Sequence, residues 1–220
     1  DKITMKKVFA HHNLPQVEWV GLTRKEWNGA PEEKVREVED ALGYPCFVKP
    51  ANLGSSVGIG RAEDTGSLRA ALDAAVGFDR RIIVERGVDA REIEVSVLGN
   101  EDPEVSVPGE IFLKGSGFYD YEAKYVEGGM ELGVPAKIPE ETAEEIRRVA
   151  HTAFEAVDAA GMARVDFFLE RGTDELLLNE INTIPGFTPT SVYAELWAAS
   201  GLAYEDLIER LISLALERHG

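Results

Sequence analysis

A chain of 220 residues with 44% hydrophobic content and charges of both signs can bury a full core, which argues against disorder and for one large domain or two small lobes. Its net charge of −17, from 40 acidic against 23 basic residues, argues against nucleic acid or an anionic membrane as partners, so phosphate binding has to be local. The single cysteine, Cys46, sits in the apolar run Pro45-Cys46-Phe47-Val48 and excludes an internal disulfide, while no apolar stretch approaches the ~18 residues of a bilayer span; a soluble, cytoplasmic protein is expected.

Met5, Val8, Phe9 and His12 recur at helical spacing, predicting a helix from Lys2 to about Asn13 that Leu14-Pro15 ends before an extended segment through Val20. Pro31 opens a second helix with Val35, Val38 and Leu42 on one stripe, and Gly43 stands where a C-terminal cap belongs. A strand Cys46–Lys49, a short strand Val57–Arg61, a helix near Ser67–Val76 and a strand Arg81–Glu85 complete a first α+β lobe, residues 1–90. The second lobe, 91–220, opens on Ile93, Val95 and Val97 alternating with Glu94 and Ser96, and another strand follows near Glu104–Glu110, so antiparallel sheet is expected. Residues 114–133 show no period and read as either a surface loop or a functional one. A helix from about Glu140 to Ala160, a hairpin, a loop Thr183–Ser191 and a closing helix carrying Leu207, Ile208, Leu211, Ile212 and Ala215 follow.

Three features carry chemistry. Phe47-Val48-Lys49-Pro50 followed by Gly54-Ser55-Ser56-Val57-Gly58 puts a lysine at a strand end just before a small-residue turn whose backbone N–H groups and hydroxyls can approach an anion. The string is neither a Walker A motif nor a dinucleotide fingerprint, and a plain hairpin turn reads equally well from it. The strand Ile82–Val88, leading to Glu92, offers an apolar wall, exposed backbone and an acid, which suits adenine and ribose but is also a common pattern in any sheet. The third is Arg164-Val165-Asp166 followed by Asn179-Glu180-Ile181-Asn182. If the chain reverses through Gly172-Thr173-Asp174, Asp166 lies opposite Glu180 and Arg164 opposite Asn182, all on one face, with Val165, Phe167, Leu169, Leu177 and Ile181 on the other. Opposed Cβ atoms are roughly 4.5–5.5 Å apart, close enough for two carboxylates and an amide oxygen to hold a hard divalent cation that also takes phosphate oxygens. The four histidines lack metal-ligand spacing, and neither Ser55 nor Ser56 has a histidine partner for nucleophilic catalysis.

With FVKPANLGSSVG (47–58), YDYEAKY (119–125), GMARVDFF (161–168) and NEINTIPGFTPTS (179–191) in this order, nearly the whole chain resembles the D-alanine–D-alanine ligases of the ATP-grasp superfamily. The resemblance implies an α+β ATP-grasp fold, with two lobes of mainly antiparallel sheet enclosing the nucleotide. It implies Lys2 and Lys49 as phosphate ligands, Ser55 and Ser56 as the covering turn, Glu85, Arg86 and Val88 as the adenine strand, and Glu92 on the ribose. Asp166, Glu180 and Asn182 match the Mg2+ ligands, with Mn2+ an alternative cation, and Lys124 matches a loop lysine over the γ-phosphate. Arg164 and the N–H of Gly186 match oxyanion donors, Ser191 the hydroxyl that receives the second D-alanine's carboxylate, and Ser55 and Tyr125 complete the catalytic set. Tyr125 beside Lys124 favours D-alanine over D-lactate as second substrate. The implied reaction makes D-alanyl-D-alanine for peptidoglycan through a D-alanyl phosphate. Family members carry a further N-terminal domain that supplies part of the first D-alanine pocket and a homodimer contact. The chain starts at Asp1, near that boundary, so weak ligation by this polypeptide alone is expected. A non-catalytic Mg-ATP-binding module, or an ATP-grasp ligase with another carboxylate and amine, is the alternative.

Overall fold

The computed structural model of the chain describes residues 1–54, 56–113 and 130–220, and over these it carries seven helices and ten strands. They group into two compact units. Asp1–Lys7 and Val17–Asp89 belong to the first; Val8–Gln16, Ala90–Phe112 and Glu131–Gly220 belong to the second.

In the first unit, β1 (Trp19–Thr23), β4 (Arg81–Arg86), β2 (Cys46–Pro50) and β3 (Gly60–Ala62) form an antiparallel sheet in the order β1-β4-β2-β3. Side chains alternate across it. Val20, Leu22, Cys46, Val48, Ile82 and Val84 point to one face, where α2 (Arg24–Gly29), α3 (Pro31–Leu42) and α4 (Thr65–Phe78) bring Trp27, Val35, Val38, Leu68, Leu72 and Ala75 against them. The other face carries Trp19, Ile83, Lys49 and Glu85, and Ile3 from the start of α1 (Lys2–His11) packs there with Ala51. Hydropathy gives no sign of the six-residue α2, which is started by a capping box: Thr23 accepts from the Glu26 N–H while Glu26 reaches back to Thr23. The same device, Asp64 with Ser67, begins α4 two residues earlier than its apolar stripe suggests. The strand expected from Val57 starts at Gly60 instead, because Ser56 (φ +58°) and Gly58 (φ +73°) take left-handed backbone that no strand accommodates.

The second unit is built on β5 (Ala90–Gly99), a ten-residue central strand of a sheet ordered β10-β9-β5-β7-β8, with β6 also paired to β5. Its strands are β6 (Glu104–Val105), β7 (Gly109–Leu113), β8 (Met130–Gly133), β9 (Gly161–Glu170) and β10 (Leu176–Asn182). The single strand expected over Glu104–Glu110 is thus two. Pro108 has no N–H to give a ladder, and the neighbouring N–H groups go to the Ser96 carbonyl from Ser106 and to Ser200 Oγ from Val107. Helix α5 (Glu140–Ala156) packs on the sheet through a stripe including Ile146, Val149, Ala153 and Phe154, and it ends before Ala160 where Asp158 turns to φ +53°. Two further helices, α6 (Val192–Ala199) and α7 (Tyr204–His219), form a cluster of Tyr193, Ala194, Trp197, Leu207 and Leu214 around Leu98. Of the residues expected on one side of α7, Leu207 is buried and Leu211 half-buried, but Ile208, Ile212 and Ala215 are exposed and Leu214 takes the second core position, because only a narrow edge of this terminal helix meets the sheet; α6, apolar nearly all round, has no stripe to read and was not expected. Among the described residues no helix is long and apolar enough to cross a membrane.

Candidate active site

On β9 and β10 the expected pairing is present: Asp166 stands opposite Glu180 and Arg164 opposite Asn182. The route to it differs. The turn is one residue longer than expected, spanning residues 171–174, with the Asp174 N–H donating to the Glu170 carbonyl and the Glu170 N–H to Glu175. Leu176 therefore faces Leu169 and Leu178 faces Phe167, and a bulge at Asn179 absorbs the extra residue before Glu180. Leu177, expected on the face of Val165, is opposite Phe168 on the other face instead; Leu176 and Leu178 take the core positions. The ladder across to β5 adds Glu92, opposite Phe168, and Glu94, opposite Asp166, to the polar face.

The charges on that face are tightly coupled. Arg164 donates to both Asp166 oxygens, Nε to Oδ1 at 2.7 Å and Nη2 to Oδ2 at 2.8 Å, and its Nε lies 2.9 Å from Glu94 Oε2. Burial alone would push the guanidinium pKa down, but Asp166, then Glu94 and Glu180, hold it above its ordinary value, so Arg164 is a permanent cation. Asn182 Nδ2 donates to Asp166 Oδ2 at 3.0 Å, which fixes the amide so that its oxygen is the end offered to a cation. Three carboxylates thus oppose one guanidinium. That excess of hard oxygen suits Mg2+, bound through one or two carboxylates and completed by phosphate oxygens, better than a soft metal. Among the described residues there is no cluster of three or more His, Cys, Asp or Glu able to hold a metal unaided.

Beyond β10, Gly186 and Ser191 come together: a Cβ built on Gly186 would lie 3.5 Å from Ser191 Oγ. That hydroxyl accepts the Thr188 N–H at 2.8 Å and caps a tight local turn in which the Ser191 N–H returns to the Thr188 carbonyl.

In the first unit, the segment after Lys49 is anchored at several points. The Lys2 N–H donates to the Ala51 carbonyl and Lys2 Nζ to the Leu53 carbonyl, both at 2.9 Å, while the backbone N–H and side-chain amide of Asn52 both donate to Asp79 Oδ2 at 2.8 Å. Beyond it, Gly58 is obligatory: a Cβ there would lie 2.9 Å from Phe78 and Pro50, at a positive φ. Lys49 Nζ lies 2.5 Å from Glu85 Oε2, and Lys6 Nζ is 3.2 Å from the other oxygen. Glu85 is 3% exposed, so burial would raise its pKa, but Lys49 and then Lys6 bring it down to about 2. Its side chain is therefore committed to the sheet interior, and only its backbone can serve a ligand. Arg86 sends its Nε to Glu18 at 2.5 Å, and Val88 is half-buried beyond it. Ser55, Lys124 and Tyr125 lie outside the described residues, as does the YDYEAKY motif.

Sequence reasoning missed two residues, Lys6 and Glu94. Both had a signal: Lys6 is three residues from Ile3 and from Phe9, a charge on a buried stripe, and Glu94 shares strand parity with Glu92.

The two antiparallel α+β units and this set of residues define a protein of the ATP-grasp fold, as similarity to solved structures bears out. The D-alanine-D-alanine ligase from Coxiella burnetii superposes with a TM-score of 0.86 at 35% identity, over 99% of this chain and 57% of that one. The VanG D-Ala:D-Ser ligase from Enterococcus faecalis gives 0.86 at 34%, over 97% and 61%. A family model described as D-ala D-ala ligase C-terminus matches residues 8–213, and the chain belongs to that family. Curated D-alanine–D-alanine ligases of Bacillus cytotoxicus and Heliobacterium modesticaldum are 52% and 49% identical over the whole chain, which spans 60% of the length of each.

Proposed function

We propose that this chain is the ATP-grasp part of a cytoplasmic D-alanine–D-alanine ligase, binding Mg-ATP and contributing most of the catalytic groups for joining two D-alanines in peptidoglycan synthesis. The observation that carries the reading is the shared face of Arg164, Asp166, Glu180 and Asn182 in a chain of this family. The high identity to D-alanine–D-alanine ligases favours D-alanine as the second substrate, although a D-Ala:D-Ser ligase is structurally as similar.

In this reading Asp166, Glu180 and Asn182 would hold Mg2+, which when bound would supply positive charge against the charge of the phosphates. Lys2 and Lys49 receive phosphate, with Ser55, Ser56 and Lys124 covering it. The backbone of Glu85, Arg86 and Val88 receives adenine, and Glu92 the ribose hydroxyls. The carboxylate of the first D-alanine attacks the γ-phosphorus, giving D-alanyl phosphate and ADP. The amine of the second then attacks the acyl carbon; phosphate leaves, a proton is lost and an amide remains. Negative charge grows on the carbonyl oxygen in that second step. Arg164, kept cationic by its carboxylates, and the Gly186 N–H are suited to stabilise it, because preorganised donors need not reorient as charge develops. Ser191 would take the carboxylate of the second D-alanine, with Tyr125 orienting loop and substrate.

Calorimetric titration of the chain with Mg2+ and a non-hydrolysable ATP analogue, followed by phosphate-release assays with D-alanine, D-serine and D-lactate, tests this. Saturable nucleotide binding with D-alanine preferred supports the reading. Absence of nucleotide binding overturns it, and preference for another amine or hydroxy acid reassigns the substrate.

A further inference from the structure

Among the described residues Lys6 is the most buried charge, with 0% exposure. It lies on the stripe of α1 that also buries Ile3 and Phe9, a position where an aliphatic residue would be expected. Burying an ammonium is costly unless it is paired. Its partner is Glu85, whose second oxygen is held by Lys49, so α1, β2 and β4 meet at one carboxylate shared by two ammoniums. A carboxylate with a single lysine forms a neutral pair. With two, the cluster keeps a positive charge, and the less buried member, Lys49 at 14% side-chain exposure, is the one able to show it to a ligand.

We propose that Lys6 is a positioning residue for Lys49: by occupying one oxygen of Glu85 it keeps that carboxylate from cancelling the charge Lys49 presents to nucleotide phosphate. This rests on the reading of Lys49 as a phosphate ligand. At 0% exposure Lys6 has no surface to offer a nucleotide. Its role is electrostatic, and removing it leaves Glu85 and Lys49 as a self-satisfied pair with little field for an anion.

The test is calorimetric titration with the Mg2+ complex of a non-hydrolysable ATP analogue, with thermal unfolding as the folding control. Lys6→Met is expected to weaken binding roughly tenfold, equivalent to about 1.4 kcal/mol. In a Lys49→Met background the same change should add no more than about twofold, because the two act through one interaction. Lys6→Met/Glu85→Gln should recover most of the loss, since the competing carboxylate is gone. A purely structural role predicts multiplying losses and no recovery, and either result overturns the proposal, as does wild-type affinity in Lys6→Met. Should Lys6→Met not fold, Lys6→Gln is titrated instead: a comparable loss of affinity supports the proposal, and wild-type affinity overturns it. Failure of the wild-type chain to bind would instead overturn the proposed function, and an unaffected Lys49→Met would overturn the phosphate role of Lys49. Weakened Lys49→Met with unaffected Lys6→Met would sink only the inference about Lys6.

Discussion

Arg164 meets three carboxylates, from β5, β9 and β10, on one sheet face, and its fork is closed on Asp166. Arg164→Ala is expected to lower D-alanine-dependent phosphate release on the order of 10²–10³-fold relative to the unsubstituted chain, the usual cost of removing one oxyanion donor. Cooperative thermal unfolding should persist; an unchanged rate would remove Arg164 from the chemistry. Glu85 makes a different prediction. Its folded pKa of about 2 lies below the ordinary 4.5, so the unfolded chain binds the proton more readily. The stability that ionised Glu85 contributes is complete above about pH 4.5 and fades as pH falls toward about 2. Glu85→Gln should therefore flatten the acid side of a stability-versus-pH curve measured by denaturant midpoints, and an equally steep acid limb in the variant would contradict the assignment. At this scale Asp166, Glu180 and Asn182 were legible in the sequence, because strand parity places them. Lys6 and Glu94 could be found only by their spacing to Ile3, Phe9 and Glu92, because a charge at a buried position breaks the hydropathy pattern by which buried positions are otherwise found.

The hairpin of β9 and β10 shows how an element can be read correctly at one end and wrongly at the other. A three-residue turn with an unbroken ladder and a four-residue turn with a bulge at Asn179 give the same pairing at Glu180, so the polar face was legible while the positions of Leu176, Leu177 and Leu178 were not. No hydropathy period marks a bulge. In the turn itself Gly172 has φ +86° with nothing within 4 Å of a built Cβ, so strain there is purely a backbone matter. Gly172→Ala is expected to destabilise by about 1 kcal/mol, read as a lower denaturant midpoint at unchanged slope. Because the bulge lies between turn and site, nucleotide affinity should stay the same; a matching loss of affinity would show that the turn sets the site's register after all. Helix α6 was missed for the reason opposite to the bulge, an excess of hydrophobicity without periodicity.

For the molecule as a whole, a net charge of −17 and the carboxylates of the second unit both oppose a polyphosphate. Nucleotide binding should accordingly depend on the divalent cation: chelating Mg2+ is expected to weaken binding of the ATP analogue at least about tenfold, whereas affinity insensitive to chelation would argue against Asp166 and Glu180 as ligands. The composition made the acidity plain, and the apolar periods made two α+β groupings plain. What they did not reveal is how the opening helix is divided. Residues 2–7 count with the first unit and residues 8–11 with the second, and the segment just after the helix gives its Pro15 carbonyl to the Leu178 N–H of β10. Anyone seeking to produce the halves separately would find that scissors placed at Asp89 and Ala90 give no clean pair: the C-terminal piece would be deprived of Phe9 and of the Pro15 tie to β10, which travel with the other end of the polypeptide.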